Sequence, residues 1–390
     1  MQSLIEKYVG KLVEQGVCKA EEPLMGSIDA DLVWNKRTSE NKVLERVIDG
    51  LNINSILLSK PSEPYASIIN FLITNLNGCD VIYPQDCETR TFLHDIPVVD
   101  DLNSEMIITA LKVRKAAIIP GYGIVTYGTV SPEQTFITFS SVCFACYVKF
   151  FTDYYRDIKN ACNTKRQDEI YRNAIDIYSK FIKNFILPKL YNGPFESSER
   201  VMEAMVQAGK LVVDLRMVDS FFGNISYKYG DVVYISQTTS SLDELSGCID
   251  PCPLDNSTCS ALTASSELTA HKAMLCGEDD KLAVLHGHPK FSVILSMLCD
   301  DHESCELSDN CHIKCSKERF INDVPIVPGE VGTGKHGLCN TLPPAINGRR
   351  GTIVYGHGLF TLGKKDFVDA FENLLDIEKM CMNEYKQMVE

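Results

Sequence analysis

Two histidines separated by one residue end an apolar run in the C-terminal half of the sequence. The run KLAVLHGHPKF contains His286 and His288, and a third histidine, His357, lies in VYGHGLF. Alternate residues of a strand share a face, so His-x-His at a strand end directs both imidazoles toward one point. Neutral imidazoles suit Zn²⁺, Mn²⁺ or Fe²⁺, and three protein ligands with one open position are typical of a catalytic metal. A chance occurrence of His-x-His is the alternative.

Glu267 precedes these histidines in SSELTAHKAMLC, a pattern that predicts the start of a helix. A carboxylate beside a cation either ligates it or, held close to it, moves protons for a bound substrate. The alternative is a first-turn glutamate that only stabilises the helix through the helix dipole.

Composition narrows the class of protein. The chain has 390 residues, of which 45% are hydrophobic and 23% charged, with a formal net charge of −14. This balance predicts a globular chain and disfavours nucleic acid or an anionic membrane surface as partner. The N-terminal MQSLIEKYVGKLVEQGV has the pattern of an amphipathic helix, not of a signal peptide, and we expect no membrane span. The expected location is cytoplasmic.

The chain contains sixteen cysteines, which we expect to be reduced thiols in that location. Four of them fall in one polar loop, CDDHESCELSDNCHIKC: Cys299, Cys305, Cys311 and Cys315. Four thiolates can hold a structural Zn²⁺ or an iron–sulfur cluster, although these spacings match no common motif. The loop is therefore a candidate second metal site, and free thiols are the alternative.

The sequence also resembles itself, because three blocks recur in the same order. SENKVLERVIDGLNINSILLSKP aligns without gaps with SELTAHKAMLCGEDDKLAVLHGH, DIPVV with DVPIV, and GYGIVTYG with GHGLFTLG. Glu40 matches Glu267 in this alignment. The positions of the three histidines are occupied by Ser59, Pro61 and Tyr122. Residues 1–160 are thus predicted to be a degenerate α/β copy without metal ligands, and chance similarity of two α/β units is the alternative.

The region between the copies, residues 161–196, has apolar residues at helical spacing and is predicted to be a linker helix, with the first element of the second domain as the alternative. The second domain is predicted to span residues 197–390, with a helix from Ser197 or Ser198 to about Gly209 and a Gly223-Asn224 turn between strands. Backbone N–H groups and hydroxyls of six residues in this domain could surround an anion, or they could belong to an ordinary hydroxyl-rich hairpin. These groups belong to Gly223, Asn224, Thr238, Thr239, Ser265 and Ser266.

Five motifs in this order, FFGNIS, VVYISQTT, SSELTAH, AVLHGHP and VYGHGLF, resemble the class II aldolase/adducin family over roughly residues 200–388. The resemblance implies an α/β/α sandwich around a largely antiparallel sheet. It implies that His286, His288 and His357 bind a divalent metal, with zinc expected before manganese or iron, and that Glu267 is the catalytic acid/base. It further implies that a substrate phosphate contacts Gly223, Asn224, Thr238, Thr239, Ser265 and Ser266.

The function implied is that of a lyase of carbohydrate metabolism. An aldolase of this family cleaves a small phosphorylated or polyhydroxylated keto compound through a metal-stabilised enediolate, and a homo-oligomer is expected. Decarboxylation, dehydration or epimerisation on the same metal, or an adducin-like binding or scaffolding module without catalysis, are the alternatives. The chain departs from the family at Gln237-Thr238-Thr239, where a Pro-Thr-Gly or Pro-Ser-Gly turn is usual. The family often uses a tyrosine from a neighbouring subunit as a proton donor. No motif assigns that residue here, and Tyr385 is a candidate, with a helix-packing tyrosine as the alternative.

Overall fold

The computed structural model describes residues 1–76, 78–87, 89–186, 188–218, 223–277 and 280–390. The chain divides into two compact units, Met1–Asn184 and Phe185–Glu390. Both combine helices with sheets, so the predicted α/β class is confirmed. The boundary falls inside the segment that the sequence predicts as a linker, and the helix of that segment, Lys165–Asn184, lies in the N-terminal unit.

The N-terminal unit contains a five-stranded antiparallel sheet in the order β2-β1-β3-β7-β6. Its helices and strands are α1 (Gln2–Glu14), β1 (Leu24–Ile28), β2 (Leu32–Trp34), α2 (Asn41–Leu51), β3 (Ser55–Ser59), α3 (Tyr65–Thr74), β4 (Val81–Ile82), β5 (Ile96–Pro97), α4 (Ser104–Leu111), β6 (Ala116–Ile119), β7 (Gly123–Gly128), α5 (Pro132–Lys159) and α6 (Lys165–Asn184). The central strand β3 is buried along its whole length, because helices cover the sheet.

Trp34, the one tryptophan of the chain, lies in the core of this unit. Its side chain is 7% exposed and packs directly over Gly26 of the neighbouring strand. A Cβ atom at Gly26 would lie 2.7 Å from the indole ring, so this position requires glycine. The apolar residues Leu44, Val47 and Ile48 of α2 follow the i, i+3, i+4 spacing of a helix face and close the same core.

Helix α5 is long and apolar enough to cross a membrane by length and composition, which the sequence analysis does not anticipate. In the most apolar window of this helix, 89% is buried inside the fold. The aromatic side chains Phe136, Phe139, Phe150 and Phe151 are among those fully covered. Core packing therefore accounts for the apolar character of the helix.

The C-terminal unit contains an eight-stranded sheet in the order β10-β9-β8-β11-β15-β14-β13-β12. Its elements are α7 (Ser198–Asp214), β8 (Asn224–Tyr229), β9 (Val232–Ser236), β10 (Ile249–Pro253), α8 (Leu268–Leu275), β11 (Ala283–Gly287), α9 (Lys290–Met297), β12 (Arg319–Ile321), β13 (Val324–Val327), α10 (Leu338–Ile346), β14 (Gly351–Val354), β15 (Gly358–Gly363) and α11 (Phe367–Val389). Only β13 and β14 pair in parallel among the described strands of this sheet. The expectation of a largely antiparallel sheet is confirmed.

Two local predictions in this unit need correction. Helix α7 begins after Ser197, whose Oγ accepts a hydrogen bond from Arg200 N, but it continues to Asp214 because the residues beyond Gly209 keep burying apolar side chains. The Gly223-Asn224 turn between strands is wrong. Asn224 opens β8, and the hairpin between β8 and β9 turns at Gly230, which has a φ of 58°. Phe221 and Phe222 of the FFGNIS motif lie outside the described residues.

The two units share a strand order, since β2-β1-β3-β7-β6 corresponds to β9-β8-β11-β15-β14. Their pairing registers also correspond. In the first unit the equivalent contacts are Ser55 with Gly128, Ala116 with Thr126, and the parallel bridge of Val98 with Ile118. In the second unit they are Ala283 with Gly363, Gly351 with Thr361, and Ile326 with Ile353.

This register corrects the gap-free alignment of the sequence by one residue. Leu58 pairs with Val125 as His286 pairs with Phe360, so Leu58 rather than Ser59 corresponds to His286. From the start of the helix to the start of the strand, the C-terminal unit is one residue longer, from Leu268 to Ala283 against Asn41 to Ser55. A one-residue shift reverses the face on which a strand side chain lies. By the same count, Lys60 rather than Pro61 corresponds to His288.

Candidate metal centre

His286, His288 and His357 converge at one end of the eight-stranded sheet. Their ligating nitrogen atoms all lie within 4.8 Å of one another, and all three side chains are buried. In the described part of the chain, this is the only set of three or more His, Cys, Asp or Glu side chains with that property. His286 lies in β11, His288 directly follows that strand, and His357 lies between β14 and β15.

The ring of His286 is fixed by its neighbours in β15. Its cross-strand partner Phe360 stacks on the imidazole, with ring centroids 3.8 Å apart and planes inclined by 7°. Nδ1 of His286 lies 3.2 Å from the Leu359 carbonyl oxygen, to which it donates in the tautomer that leaves Nε2 with a lone pair for a metal. Burial, and then the neighbouring His288, hold the pKa of His286 well below its ordinary value, so the ring is neutral at neutral pH.

The other two histidines are positioned by backbone contacts. Nε2 of His288 lies 3.2 Å from Nε2 of His286, and the His288 backbone N–H donates to the Met217 carbonyl at 2.7 Å. His357 N–H donates to the carbonyl of Val354 at 3.0 Å, which closes the turn that carries the third imidazole. The neighbouring residues of His357 are both glycines for steric or conformational reasons.

Gly356 has a φ of 62°, and its N–H donates to the Ser296 hydroxyl at 2.8 Å. A Cβ atom at Gly358 would lie 2.8 Å from ring carbons of both His286 and His288. The Gly-His-Gly sequence thus permits the close approach of the third imidazole to the first two.

Glu267 completes the centre from the start of α8. Its Oε2 lies 3.9 Å from His286 Nε2, its Oε1 lies 3.7 Å from His357 Nε2, and the carboxylate is buried. Asn224 Nδ2 donates to Oε2 at 2.7 Å and holds the carboxylate in this direction. The side chain makes no capping hydrogen bond to its own helix, so the interpretation as a mere helix-start residue does not describe its contacts.

His271 is a residue of this site that sequence reasoning did not single out. It lies one turn after Glu267 on α8, is fully buried, and its Nδ1 lies 2.7 Å from the Ser226 hydroxyl. Burial lowers the pKa of His271 to about 4, against a smaller opposing effect of the Glu267 charge. The four-residue spacing of Glu267 and His271 in SSELTAH places both on one helix face, which is the signal that could have revealed it.

The residues predicted to hold an anion lie on neighbouring loops but differ in exposure. Thr238 N–H donates to the Thr263 carbonyl at 2.9 Å and Ser265 N–H donates to the Ser236 carbonyl at 3.0 Å, which joins the loop after β9 to the segment before α8. Asn224 and Ser265 are buried, whereas Thr238, Thr239 and Ser266 are exposed. Gly223 has a φ of 103° and lies against the His286 backbone.

The four cysteines of the predicted second site line one pocket but their sulfur atoms do not form a set within 4.8 Å. None of the sixteen cysteines, all of which lie within the described residues, forms a disulfide bond. Tyr385 is fully buried in α11, with its ring centroid 5.6 Å from that of Phe291. A side chain enclosed in its own core does not reach the site of another subunit, so Tyr385 does not fit the role of a shared proton donor.

The donor set at the histidine centre fits a divalent cation. It offers three neutral imidazoles, one of them with its tautomer set by a backbone carbonyl, and one carboxylate within 4 Å of two of them. Nitrogen-rich ligation of this kind suits zinc. A carboxylate that lies close to the cation site without being a fixed ligand is suited to moving protons.

Comparison with known proteins finds similarity in the part of the chain that contains this site. Residues 203–385 match the model of the family described as "Class II Aldolase and Adducin N-terminal domain", while no curated protein matches the chain. Among solved structures, the chain is similar to YgbL, a putative aldolase/epimerase/decarboxylase from Klebsiella pneumoniae, at 18% identity over 49% of this chain and 91% of that chain, with a TM-score of 0.40. It is similar to L-fuculose-1-phosphate aldolase from Thermus thermophilus at 18% identity over 49% and 96%, with a TM-score of 0.39. Residues 203–385, which match the class II aldolase and adducin model, contain the three histidines and Glu267.

Proposed function

We propose that the C-terminal unit is a metal-dependent lyase that cleaves a carbon–carbon bond of a small phosphorylated or polyhydroxylated keto compound. The observation that supports this most directly is the convergence of three buried imidazoles on one point beside the buried carboxylate of Glu267. A purely structural site has no need of a carboxylate held at 3.7 to 3.9 Å from two ligands by a dedicated amide.

Each residue has a defined task in this proposal. His286, His288 and His357 would hold the cation, for which zinc is the first choice. When bound, that cation would supply a Lewis acid for a substrate carbonyl and for the negative charge left by a cleaved carbon–carbon bond. Glu267 gives or takes the proton at the reacting carbon, and Asn224 keeps its carboxylate oriented. Asn224 Oδ1 is buried without a hydrogen-bond partner among the described residues, so it can accept from a substrate hydroxyl.

The N-terminal unit is proposed to be a copy that kept its fold and lost its centre. Its strand order and pairing register, including the one parallel bridge, correspond to those of the C-terminal unit. Leu58, Lys60 and Tyr122 occupy the positions of the three histidines, and none of these side chains is a ligand of the kind required. In each unit, helices against the sheet support the α/β/α layering implied by the resemblance. A homo-oligomeric state and a cytoplasmic location are parts of the same proposal, and they rest on the resemblance and on composition.

The first test is the metal content of the full chain. Elemental analysis by mass spectrometry is expected to find that His286→Ala/His288→Ala contains one equivalent of zinc, manganese or iron less than the unaltered protein. The matched control His94→Ala/His336→Ala replaces two histidines outside the centre and is expected to retain it. Unchanged metal content in the first variant would remove the basis for an enzyme and favour an adducin-like scaffolding role.

The second test separates catalysis from metal binding. Glu267→Gln is expected to keep the metal and to lose turnover of ketose phosphates by roughly 10²- to 10⁴-fold, as typical for a removed acid/base group. Product analysis on the unaltered protein distinguishes aldol cleavage from decarboxylation, dehydration or epimerisation. Near-normal turnover by the variant would return Glu267 to a structural role.

A further inference from the structure

The loop between α9 and β12 carries a quarter of the cysteines of the chain on a small part of its length. Cys299 stands at the beginning of the loop, Cys315 near its end, and Cys305 and Cys311 between them. All four line the same pocket, of about 760 Å³, and each is partly buried. This loop is part of neither the sheet nor the histidine centre, so its cysteines need a separate explanation.

The backbone of the loop repeats with a period that matches the cysteine spacing. The His302 N–H donates to the Cys299 carbonyl, and six residues later the Ser308 N–H donates to the Cys305 carbonyl, at 3.2 and 3.1 Å. The next pair repeats as well, with Ser304 to Asp301 at 3.1 Å and Asn310 to Leu307 at 2.8 Å. Two short 3₁₀ turns, His302–Ser304 and Ser308–Asn310, result from these bonds. Each turn returns the chain to the pocket, which is why three thiols six residues apart line one cavity.

Apolar packing does not account for the order of this loop. From Cys299 to Glu318, none of the side chains whose burial the structure describes is a buried apolar residue. Long connections without a core of their own are usually functional, disordered, or held by a cross-link or metal. The repeated turns are regular, so a cross-link or metal at the shared pocket is the explanation that fits the geometry.

The electrostatic setting favours a cation at this pocket. Thiolates that share a pocket repel one another unless a cation lies between them. The charged side chains that line this pocket are more often acidic than basic, with Asp300, Asp301, Glu306, Glu318 and Glu384 against Lys317 and Arg319. Lys317 is itself paired with Asp301.

We propose that Cys299, Cys305, Cys311 and Cys315 together bind a Zn²⁺ ion that orders this loop. Four thiolates around zinc form a closed tetrahedral site of the structural kind, with zinc–sulfur distances of about 2.3 Å. The sulfur atoms must therefore move inward when the ion binds, because in the structure no three of them lie within 4.8 Å of one another. This site is distinct from the histidine centre and does not depend on the proposed lyase activity.

The stoichiometry of zinc in the full chain tests the site. The unaltered protein, purified under reducing conditions, is expected to contain two equivalents, and His286→Ala/His288→Ala is expected to retain one. Cys305→Ser/Cys311→Ser is expected to lose the other equivalent, whereas Cys248→Ser/Cys276→Ser, which replaces two thiols elsewhere in the same unit, keeps both. Full zinc content in Cys305→Ser/Cys311→Ser would overturn the proposal.

Two measurements remain decisive if a cysteine variant fails to fold. Co²⁺ loaded into His286→Ala/His288→Ala is expected to show sulfur-to-metal charge transfer and the strong visible bands of tetrahedral coordination. In the unaltered protein, removal of zinc by a chelator is expected to expose four additional thiols to a colorimetric thiol reagent. Absence of sulfur ligation to Co²⁺, no change in the thiol count, iron with acid-labile sulfide in place of zinc, or disulfides between these cysteines would each contradict a zinc site.

Discussion

Thr239 has a backbone conformation that its side chain disfavours. It has a φ of 62°, in the left-handed region that is costly for a β-branched residue, and it stands where the turn of the family usually has glycine. Replacing Thr239 with glycine should therefore raise the free energy of unfolding by about 1 kcal/mol. The matched control is Thr238→Gly, next to it and outside the left-handed region, which should lower that free energy by about 0.5 to 1 kcal/mol. Urea unfolding of both variants checks the prediction, and equal effects of the two would contradict it.

His271 should make stability depend on pH in the acid range. Its folded-state pKa of about 4 lies below the 6.5 of an ordinary histidine, because the ring is buried. The unfolded chain then binds a proton that the folded chain does not, so stability is full above pH 6.5 and is lost as pH falls toward 4. At about 1.4 kcal/mol per pKa unit, the loss assigned to this group is on the order of 3 kcal/mol. His286 contributes in the same direction.

Chemical unfolding at several pH values between 4 and 7 measures this dependence. The chelated protein should be used, so that metal release does not contribute. His271→Gln is expected to show a shallower fall in stability than the unaltered protein, and His336→Gln the same fall. A parallel fall in His271→Gln would show that other groups cause the acid sensitivity.

At the scale of elements, helix α9 connects both histidine-bearing loops. It begins two residues after His288, and Ser296 in its last turn accepts the bond from the loop of His357. Its first turn is held by the fully buried carboxylate of Glu378 in α11, which accepts hydrogen bonds of 2.8 Å from Phe291 N, Ser292 N and Ser292 Oγ. Glu378 is thus placed to position the metal ligands without touching them.

Glu378→Ala should lower the free energy of unfolding by about 3 kcal/mol, because three buried donors at the start of α9 lose their acceptor. It should also weaken metal binding at the histidine centre. Glu372→Ala, which removes an exposed carboxylate from the same helix, should change stability by no more than about 0.5 kcal/mol. Urea unfolding and metal titration of both variants provide the measurement, and similar results for the two would refute the role assigned to Glu378.

The elements also show what could be predicted from the sequence. The His-x-His motif at a strand end and the serine cap of α7 can both be predicted, because each depends on residues that are close together in the sequence. The register of β3 was misjudged because a one-residue difference in a loop leaves the sequence similarity almost unchanged but shifts the strand. The role of Glu378 gives no local signal, since its partners lie more than eighty residues away in the chain. Gly223-Asn224 has a typical turn sequence, but the chain turns at Gly230 instead.

At the scale of the molecule, two units of corresponding topology differ in chemistry at one end of the sheet. The same strand pairs carry histidines in one unit and Leu58, Lys60 and Tyr122 in the other. The fold can therefore persist when the histidines are replaced. The sheet is stabilised by side chains along the strands, whereas the histidine centre depends on a few residues at strand ends. Metal removal is accordingly expected to affect the stability of the C-terminal unit directly. No direct effect is expected on the core around Trp34, because that core has no metal ligand to lose.

Tryptophan fluorescence of this chain comes from Trp34 alone and therefore reports on one of the two units. Because it is the one indole and lies buried in the core of unit Met1–Asn184, a red shift of its emission during denaturation reports the opening of that unit. Far-ultraviolet circular dichroism, in contrast, records the helices of both units. Emission and dichroism curves that separate in urea, and that separate further when zinc is added, would reveal independent unfolding of the two units. Curves that coincide under both conditions would mean that the two units unfold as a single cooperative unit.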